Sequence, residues 1–175
     1  EFPQLVAACQ NRGIRTISYG KQGRDIQILH RDILPEGQDL VLNVLGEEFD
    51  ITLPLVGEFQ AYNALCALGL VIGSDDGENL RPFEAVTYLE NLEGVRGRMQ
   101  RVGMLKNGAA IYIDYAHTPD GLKTVLTALR PHTRRKLHVV FGCGGCGKKC
   151  DAVHDLARHF RGVRHKRRCP QDDDA

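Results

Sequence analysis

At 175 residues the chain is long enough for one ordinary domain or for parts of two. Its 23 basic and 22 acidic residues nearly cancel, so composition supplies no field of one sign to gather nucleic acid or an anionic membrane. No apolar run approaches the roughly 20 residues needed to span a bilayer, and no secretory leader pattern opens the chain.

Leu5 to Asn11 reads as the end of a helix, with Gly13 near its C-cap. Ile14 to Tyr19 alternates apolar and polar residues, the period of a strand. Asp25 to His30, Leu40 to Leu45 and Phe49 to Leu53 follow as short strands, punctuated by Gly37 and Gly46. Gly46-Glu47 suits a hairpin, so this half ends in a small antiparallel meander. Gly57 to Phe59 is a turn. Ala61 to Ile72 is a helix, apolar nearly all round and so expected to be buried. Asn63 is the odd residue in it, and a capping or first-turn role would suit its side chain. Ser74 to Leu80 is a polar loop, and Pro82 to Leu92 a further helix with Phe83, Val86, Leu89 and Leu92 facing inward. Glu93 to Arg98, E-G-V-R-G-R, marks a domain boundary.

The next stretch is the most informative. Met99 to Leu105 and Ala109 to Ile113 flank Asn107-Gly108, a dipeptide that favours a tight hairpin turn. After Ile113 comes a polar loop. Thr118 can cap a helix, Pro119 fits its first position, and Asp120 complements the dipole in its first turn. Leu122, Val125, Leu126 and Leu129 recur on one helical face until Pro131 stops it. Leu137 to Phe141 is a buried-type strand. Strand, helix and strand form a βαβ unit, expected to be parallel with a right-handed crossover. Ligands of such sheets bind beyond the carboxyl ends of the strands, where Asp114, Tyr115, His117 and Thr118 lie. Asp114 and His117 could instead serve only to cap and brace the loop.

The run D-Y-A-H-T-P-D-G-L from Asp114 to Leu122 resembles the start of the C-terminal domain of the Mur ligases, of the type adding the third residue of the peptidoglycan stem peptide. Matching motifs precede it in the right order: Y-G at Tyr19, L-x-G-x-F-x-x-Y-N-A-L-x-A from Leu55 to Ala67, and G-R-M at Gly97 to Met99. The resemblance covers about residues 4 to 145. It implies an α/β fold: the end of a central ATPase-type domain, helices plus a small β-meander, then the start of a Rossmann-like C-terminal domain. The expected divisions are 1–96 for the first, 97–145 for the second and 146–175 for an atypical tail.

By that resemblance the parent enzyme is an ATP-dependent acid–amino-acid ligase of the cytoplasm. It phosphorylates UDP-N-acetylmuramoyl-L-Ala-D-Glu to an acyl phosphate, which the amine of meso-diaminopimelate or L-lysine attacks. ATP and Mg2+ are implied as cofactors, and neither nucleic acid nor a membrane as a partner. Asn63 is implied on the adenine side of the nucleotide site, Arg98 at phosphate or ribose oxygens, and Asp114 at ribose hydroxyls. Tyr115 is implied equally as packing or as site lining, and His117 as an ATP-side polar contact that responds to domain closure, with no general-base role. Related ATP-dependent ligases such as folylpolyglutamate synthetase share the architecture, and the D-Y-A-H-T-P stretch favours the peptidoglycan enzyme over them. The family's Gly-Lys-Thr phosphate loop, magnesium ligands, modified lysine and Asp-Asn-Pro-Arg selecting motif are not in this sequence. The chain by itself is therefore expected to be inactive, and its start at Glu1 reads as a fragment, a processed end or a cloning scar.

After Gly145 the resemblance stops, and a reading-frame shift near codon 146 is the expected cause. Of six cysteines, Cys9 and Cys66 sit singly in helical patterns as small hydrophobes, which fits a reducing compartment. Cys143, Cys146, Cys150 and His154 could ligate zinc in a non-enzymatic metal-binding or interaction module. Gly142 to Lys148 matches G-x-x-x-x-G-K, but Lys149 stands where Ser or Thr should hold magnesium. Val153, Leu156, Ala157 and Phe160 make a helical stripe, while Arg161, Arg164, Lys166, Arg167 and Arg168 read as a solvated, disordered end.

Overall fold

The computed structural model describes residues 3–74, 82–142 and 163–168. The chain divides into two compact units, one of residues 1–32 and 37–92, the other of residues 33–36 and 93–175.

The first unit opens with α1 (Pro3–Asn11), closed as expected by Gly13 at φ +66°. Strands β1 (Tyr19–Gly20), β2 (Ile26–Leu34), β3 (Gly37–Val44) and β4 (Glu47–Leu53) form one sheet in that spatial order. β1 is only a remnant of the strand expected from Ile14. Ser18 is the reason: its Oγ accepts the Arg24 N–H, and its N–H and hydroxyl both donate to Asp25 Oδ2 at 2.7 Å. Those bonds close a loop and take backbone groups that a longer ladder would use. β3 and β4 are antiparallel, with Leu40 opposite Ile51 and Leu42 opposite Phe49. Leu45 and Gly46, at φ +53° and +97°, make the tight turn between them.

Helix α2 (Glu58–Gly73) starts three residues earlier than the apolar pattern indicates, capped by Gly57 at φ +93°. Its buried face, Ala61, Ala64, Leu65 and Leu68, packs on Ile26, Leu40, Leu42, Val44, Ile51 and Leu53. Burial on all sides is not what the fold delivers. Leu70 is 71% exposed, because one sheet face covers one helix face. α3 (Pro82–Thr87) tightens into a 3-10 turn at Tyr88–Asn91, shorter than the helix expected to Leu92. Val86 and Leu89 enter the core and Leu92 packs at its rim, whereas Phe83 is 60% exposed and meets only the edge of it beside Phe49. The polar loop expected up to Leu80 lies outside the described residues beyond Ser74.

In the second unit β5 (Gln100–Met104) and β6 (Ala110–Ile113) form the expected hairpin. Gly108, at φ +79°, takes the left-handed position of its turn. Helix α4 (Pro119–Leu129) begins as the sequence indicates: Pro119 lies in its first turn and the Thr118 hydroxyl accepts the Gly121 N–H at 3.1 Å. Leu122 and Leu126 pack on Leu137 and Val139 of β7 (Leu137–Gly142). The expected parallel pairing of the strands flanking α4 is corrected here. β6 bonds to β5, which a short turn brings back at little loop-closure cost, and β7 pairs in parallel with β8 (Val163–Arg168). The same pairing corrects the reading of the basic run as a disordered end, since Val163 to Arg168 is an ordered strand of backbone bonds. The end of β2 and the turn after it, residues 33–36, belong to this unit, where Arg101 forms an ion pair with Glu36 and the His132 Nδ1–H donates to the Leu34 carbonyl at 2.6 Å.

Candidate functional site

Two loops of the second unit meet. One, Glu93 to Met99, enters β5; the other, Asp114 to Thr118, leaves β6 for the capped start of α4. Asp114 is half-buried and both its oxygens face backbone donors. Oδ2 accepts the Met99 N–H at 2.8 Å and Oδ1 the Ala116 N–H at 2.7 Å. The Tyr115 N–H donates to the Gly97 carbonyl at 2.8 Å, and the Gly97 N–H to Gln100 Oε1 at 3.1 Å. The loop-bracing role weighed for Asp114 is thus realised in the fold. A carboxylate has about four acceptor positions, so two remain for a ligand hydroxyl.

Arg98, Tyr115 and His117 are all exposed and lie in series. The Arg98 guanidinium carbon is 5.3 Å from the Tyr115 ring centroid, and the Tyr115 and His117 rings are 5.0 Å apart with a 59° tilt. The His117 Nδ1–H donates to the Tyr115 carbonyl at 3.1 Å, which orients the ring. Stacking on the phenol orients a permanently charged group without consuming its in-plane donors. The arrangement suits an anionic oxygen beside a flat ring. In β6, burial pushes the Tyr112 phenol above its ordinary value.

Asn63 belongs to the first unit. It sits inside α2, six residues past the Gly57 cap, which removes the capping and first-turn readings. Its side chain is exposed and its Nδ2 donates to Gln60 Oε1 at 3.0 Å. The structure therefore gathers four of the sequence-derived candidates in one unit and places Asn63 on a helix of the other. Sequence reasoning missed Gln60, Gln100 and the backbone N–H of Met99. The glycine before Arg98 hinted at an unusual turn, but nothing local marks Met99, whose φ is +48°.

Among the described residues no group of three or more His, Cys, Asp and Glu side chains could hold a metal. The zinc candidates Cys143, Cys146, Cys150 and His154, the helical stripe Val153 to Phe160 and the Gly-Lys segment after Gly142 lie outside the described residues. No described helix is long and apolar enough to cross a membrane.

Residues 1–71 match the Mur ligase middle domain, and residues 97–166 match the Mur ligase glutamate ligase domain, a match that runs past Gly145. The chain is 49% identical over 146 residues to the UDP-N-acetylmuramoyl-L-alanyl-D-glutamate–2,6-diaminopimelate ligase of Caulobacter vibrioides, covering 82% of this chain and 29% of that protein. It is 43% identical over 141 residues to the ligase of the same name from Zymomonas mobilis, covering 81% of this chain and 28% of that one. The chain thus spans less than a third of the length of these curated relatives. A solved structure of a 2,6-diaminopimelate ligase of that name superposes with a TM-score of 0.69 at 26% identity, over 93% of this chain and 34% of the other. Folylpolyglutamate synthase of Mycobacterium tuberculosis, solved with ADP and AMPPCP, superposes with a TM-score of 0.65 at 26% identity, over 92% and 35%. With parts of two characteristic domains in the family's order and curated relatives along four-fifths of its length, the chain belongs to the Mur ligase family.

Proposed function

We propose that the chain is part of an ATP-dependent ligase that adds the third amino acid to UDP-N-acetylmuramoyl-L-Ala-D-Glu in peptidoglycan synthesis. The observation that carries the reading is the 49% identity over 146 residues with the Caulobacter ligase. The names of the relatives favour meso-diaminopimelate over L-lysine as the amine, and a peptidoglycan ligase over a folylpolyglutamate-type one. A cytoplasmic location fits the unpaired Cys9 and Cys66. The proposed divisions are 1–96 and 97–145 for the two domain portions and 146–175 for the tail.

In this reading the substrate carboxylate attacks the terminal phosphate of ATP and ADP departs. The amine then attacks the acyl carbon and phosphate departs. Catalysis of this kind rests on positioning and on charge stabilisation. Arg98 donates to phosphate or ribose oxygens, Asp114 accepts from ribose hydroxyls through its remaining lone pairs, and Tyr115 and His117 line the nucleotide. Their exposed, stacked arrangement fits such a ligand. Asn63 lines the adenine side. The described residues offer no ligand set for Mg2+, and no step here is assigned to it.

A chimera tests the reading. The matched segment of the Caulobacter ligase is replaced by the corresponding residues of this chain, and ATP-dependent incorporation of diaminopimelate is measured. The expected result is amide product with ADP and phosphate in equal amounts, and an Arg98→Ala chimera with a KM for ATP raised at least ~10-fold, about 1.4 kcal/mol. The isolated chain gives no product. A folded chimera that consumes no ATP overturns the proposal; ligation by the isolated chain overturns only the expectation that it is inactive by itself.

A further inference from the structure

We propose that Asp114 is a positioning residue for Arg98: its carboxylate clamps the left-handed turn at Met99 and so holds the Arg98 guanidinium over Tyr115. The purpose of that placement rests on the nucleotide reading above; the clamp itself does not.

Arg98 is bounded on both sides by left-handed backbone, Gly97 at φ +68° and Met99 at φ +48°. Glycine adopts such a conformation freely, but a residue with a long side chain keeps it only where its surroundings over-determine it. Two anchors act on Met99. Its side chain is buried, 5% exposed, and its N–H donates to Asp114 Oδ2 at 2.8 Å. On the other side, the Gly97 carbonyl accepts the Tyr115 N–H at 2.8 Å. Arg98 itself donates its N–H to the Val95 carbonyl at 3.0 Å. The residues before and after Arg98 are thus both tied to the end of β6, one to the Tyr115 backbone and one to the Asp114 side chain. The second Asp114 oxygen takes the Ala116 N–H at 2.7 Å, so one carboxylate joins the loop that carries Arg98 to the loop that carries Tyr115 and His117. The backbone on both sides of Arg98 is thus tied to the loop that carries Tyr115, and the guanidinium that leaves it lies 5.3 Å from the ring. No hydrophobic side chain could replace this clamp, because both partners are N–H donors that need an acceptor.

The test uses the full chain, isotope-labelled and without nucleotide. Two quantities are read by NMR: hydrogen exchange at the Met99 and Ala116 amides, and the shift of the Arg98 Nε–H, which the Tyr115 ring current displaces. Tyr115→Leu supplies the shift of an Arg98 with no ring beneath it. Asp114→Asn is nearly isosteric but keeps only one acceptor oxygen, and Asp114→Ala keeps none. In both variants exchange at Met99 or Ala116 is expected to rise at least ~10-fold, while Leu126 and Val139 keep their protection. The Arg98 signal is expected to move toward its Tyr115→Leu position. An Arg98 signal unchanged in both variants overturns the proposal. So does faster exchange spread evenly over α4 and β7, since Asp114 would then hold the whole unit and not this turn. Where Asp114→Ala fails to fold, Asp114→Asn decides. ADP titrated into the wild-type chain tests the nucleotide reading separately, because the clamp is measured with no nucleotide present.

Discussion

The Gln38 side-chain amide donates to the Gly57 carbonyl at 2.9 Å and so fixes the turn from which α2 departs. The same Nε2 donates to the Leu55 carbonyl at 2.8 Å, and Oε1 accepts from Arg31 at 3.0 Å. The side chain is fully buried with its acceptor and both donors used. A polar group can be tolerated at such a position only when it is satisfied in this way. Here it holds a cap at φ +93° and with it the helix that carries Asn63.

Gln38→Leu therefore deprives the Leu55 carbonyl of its buried donor and the cap of a tether. The expected cost is about 1–3 kcal/mol in urea denaturation followed by circular dichroism. Exchange should quicken first at the amides of the first turn of α2. A loss below about 0.5 kcal/mol, the level of an ordinary surface change, would show that the network is dispensable.

The small cluster under α4 makes a second case. Leu126 is 2% exposed against Leu122, Leu137 and Val139, so Leu126→Ala removes the centre of this cluster of described residues. The expected destabilisation is about 2–5 kcal/mol. Lys123→Ala, on the exposed side of the same helix, should stay within about 0.5 kcal/mol. Equal effects would mean that this face does not hold the helix.

Thr118 caps the same helix through its hydroxyl. Thr118→Ala is expected to cost about 1 kcal/mol and Thr118→Ser only a few tenths. Thermal melts of the two variants check the difference, and matching melts would remove the cap from the account.

Acid sensitivity should track Asp25. The Ser18 hydroxyl and the Ser18 N–H hold its carboxyl below the ordinary value of 3.8. A depressed folded value stabilises the folded state fully above the unfolded value, and that contribution is lost as pH falls through the folded one. Asp25→Asn should therefore flatten the fall in stability below about pH 4 while leaving the chain less stable at pH 7. Glu58 is lowered by its bond to Lys21 and acts in the same direction, so part of the acid slope should persist. An unaltered slope from pH 5 to pH 2 in denaturation titrations would exclude Asp25 as a source of it.

Sequence and structure part company at identifiable places. The hairpin at Gly46, the turn at Gly108 and the cap at Thr118 were all legible, because each depends on a residue type at a fixed local offset. The strand expected from Ile14 shrank to Tyr19–Gly20 because Ser18 is bonded to a residue seven positions on, which alternation does not encode. The apolar face of α2 beyond its sheet contact read as buried, yet hydrophobicity states only a preference for burial and not the existence of a covering layer.

By itself the sequence determined the types of most elements, the positions of their turns and caps, the α/β class and the family. Periodicity, capping and motif spacing are local properties of the chain, and folding does not change them. Only the tertiary structure decided that β7 pairs with β8 and not with β6, that Arg98, Tyr115 and His117 stack, and that Asp114 reaches back to Met99. Each of these depends on backbone donors, acceptors or rings brought together from separate loops and strands. The left-handed φ of Met99 has no residue-type signature, and it persists through contacts that exist only once the loops have met.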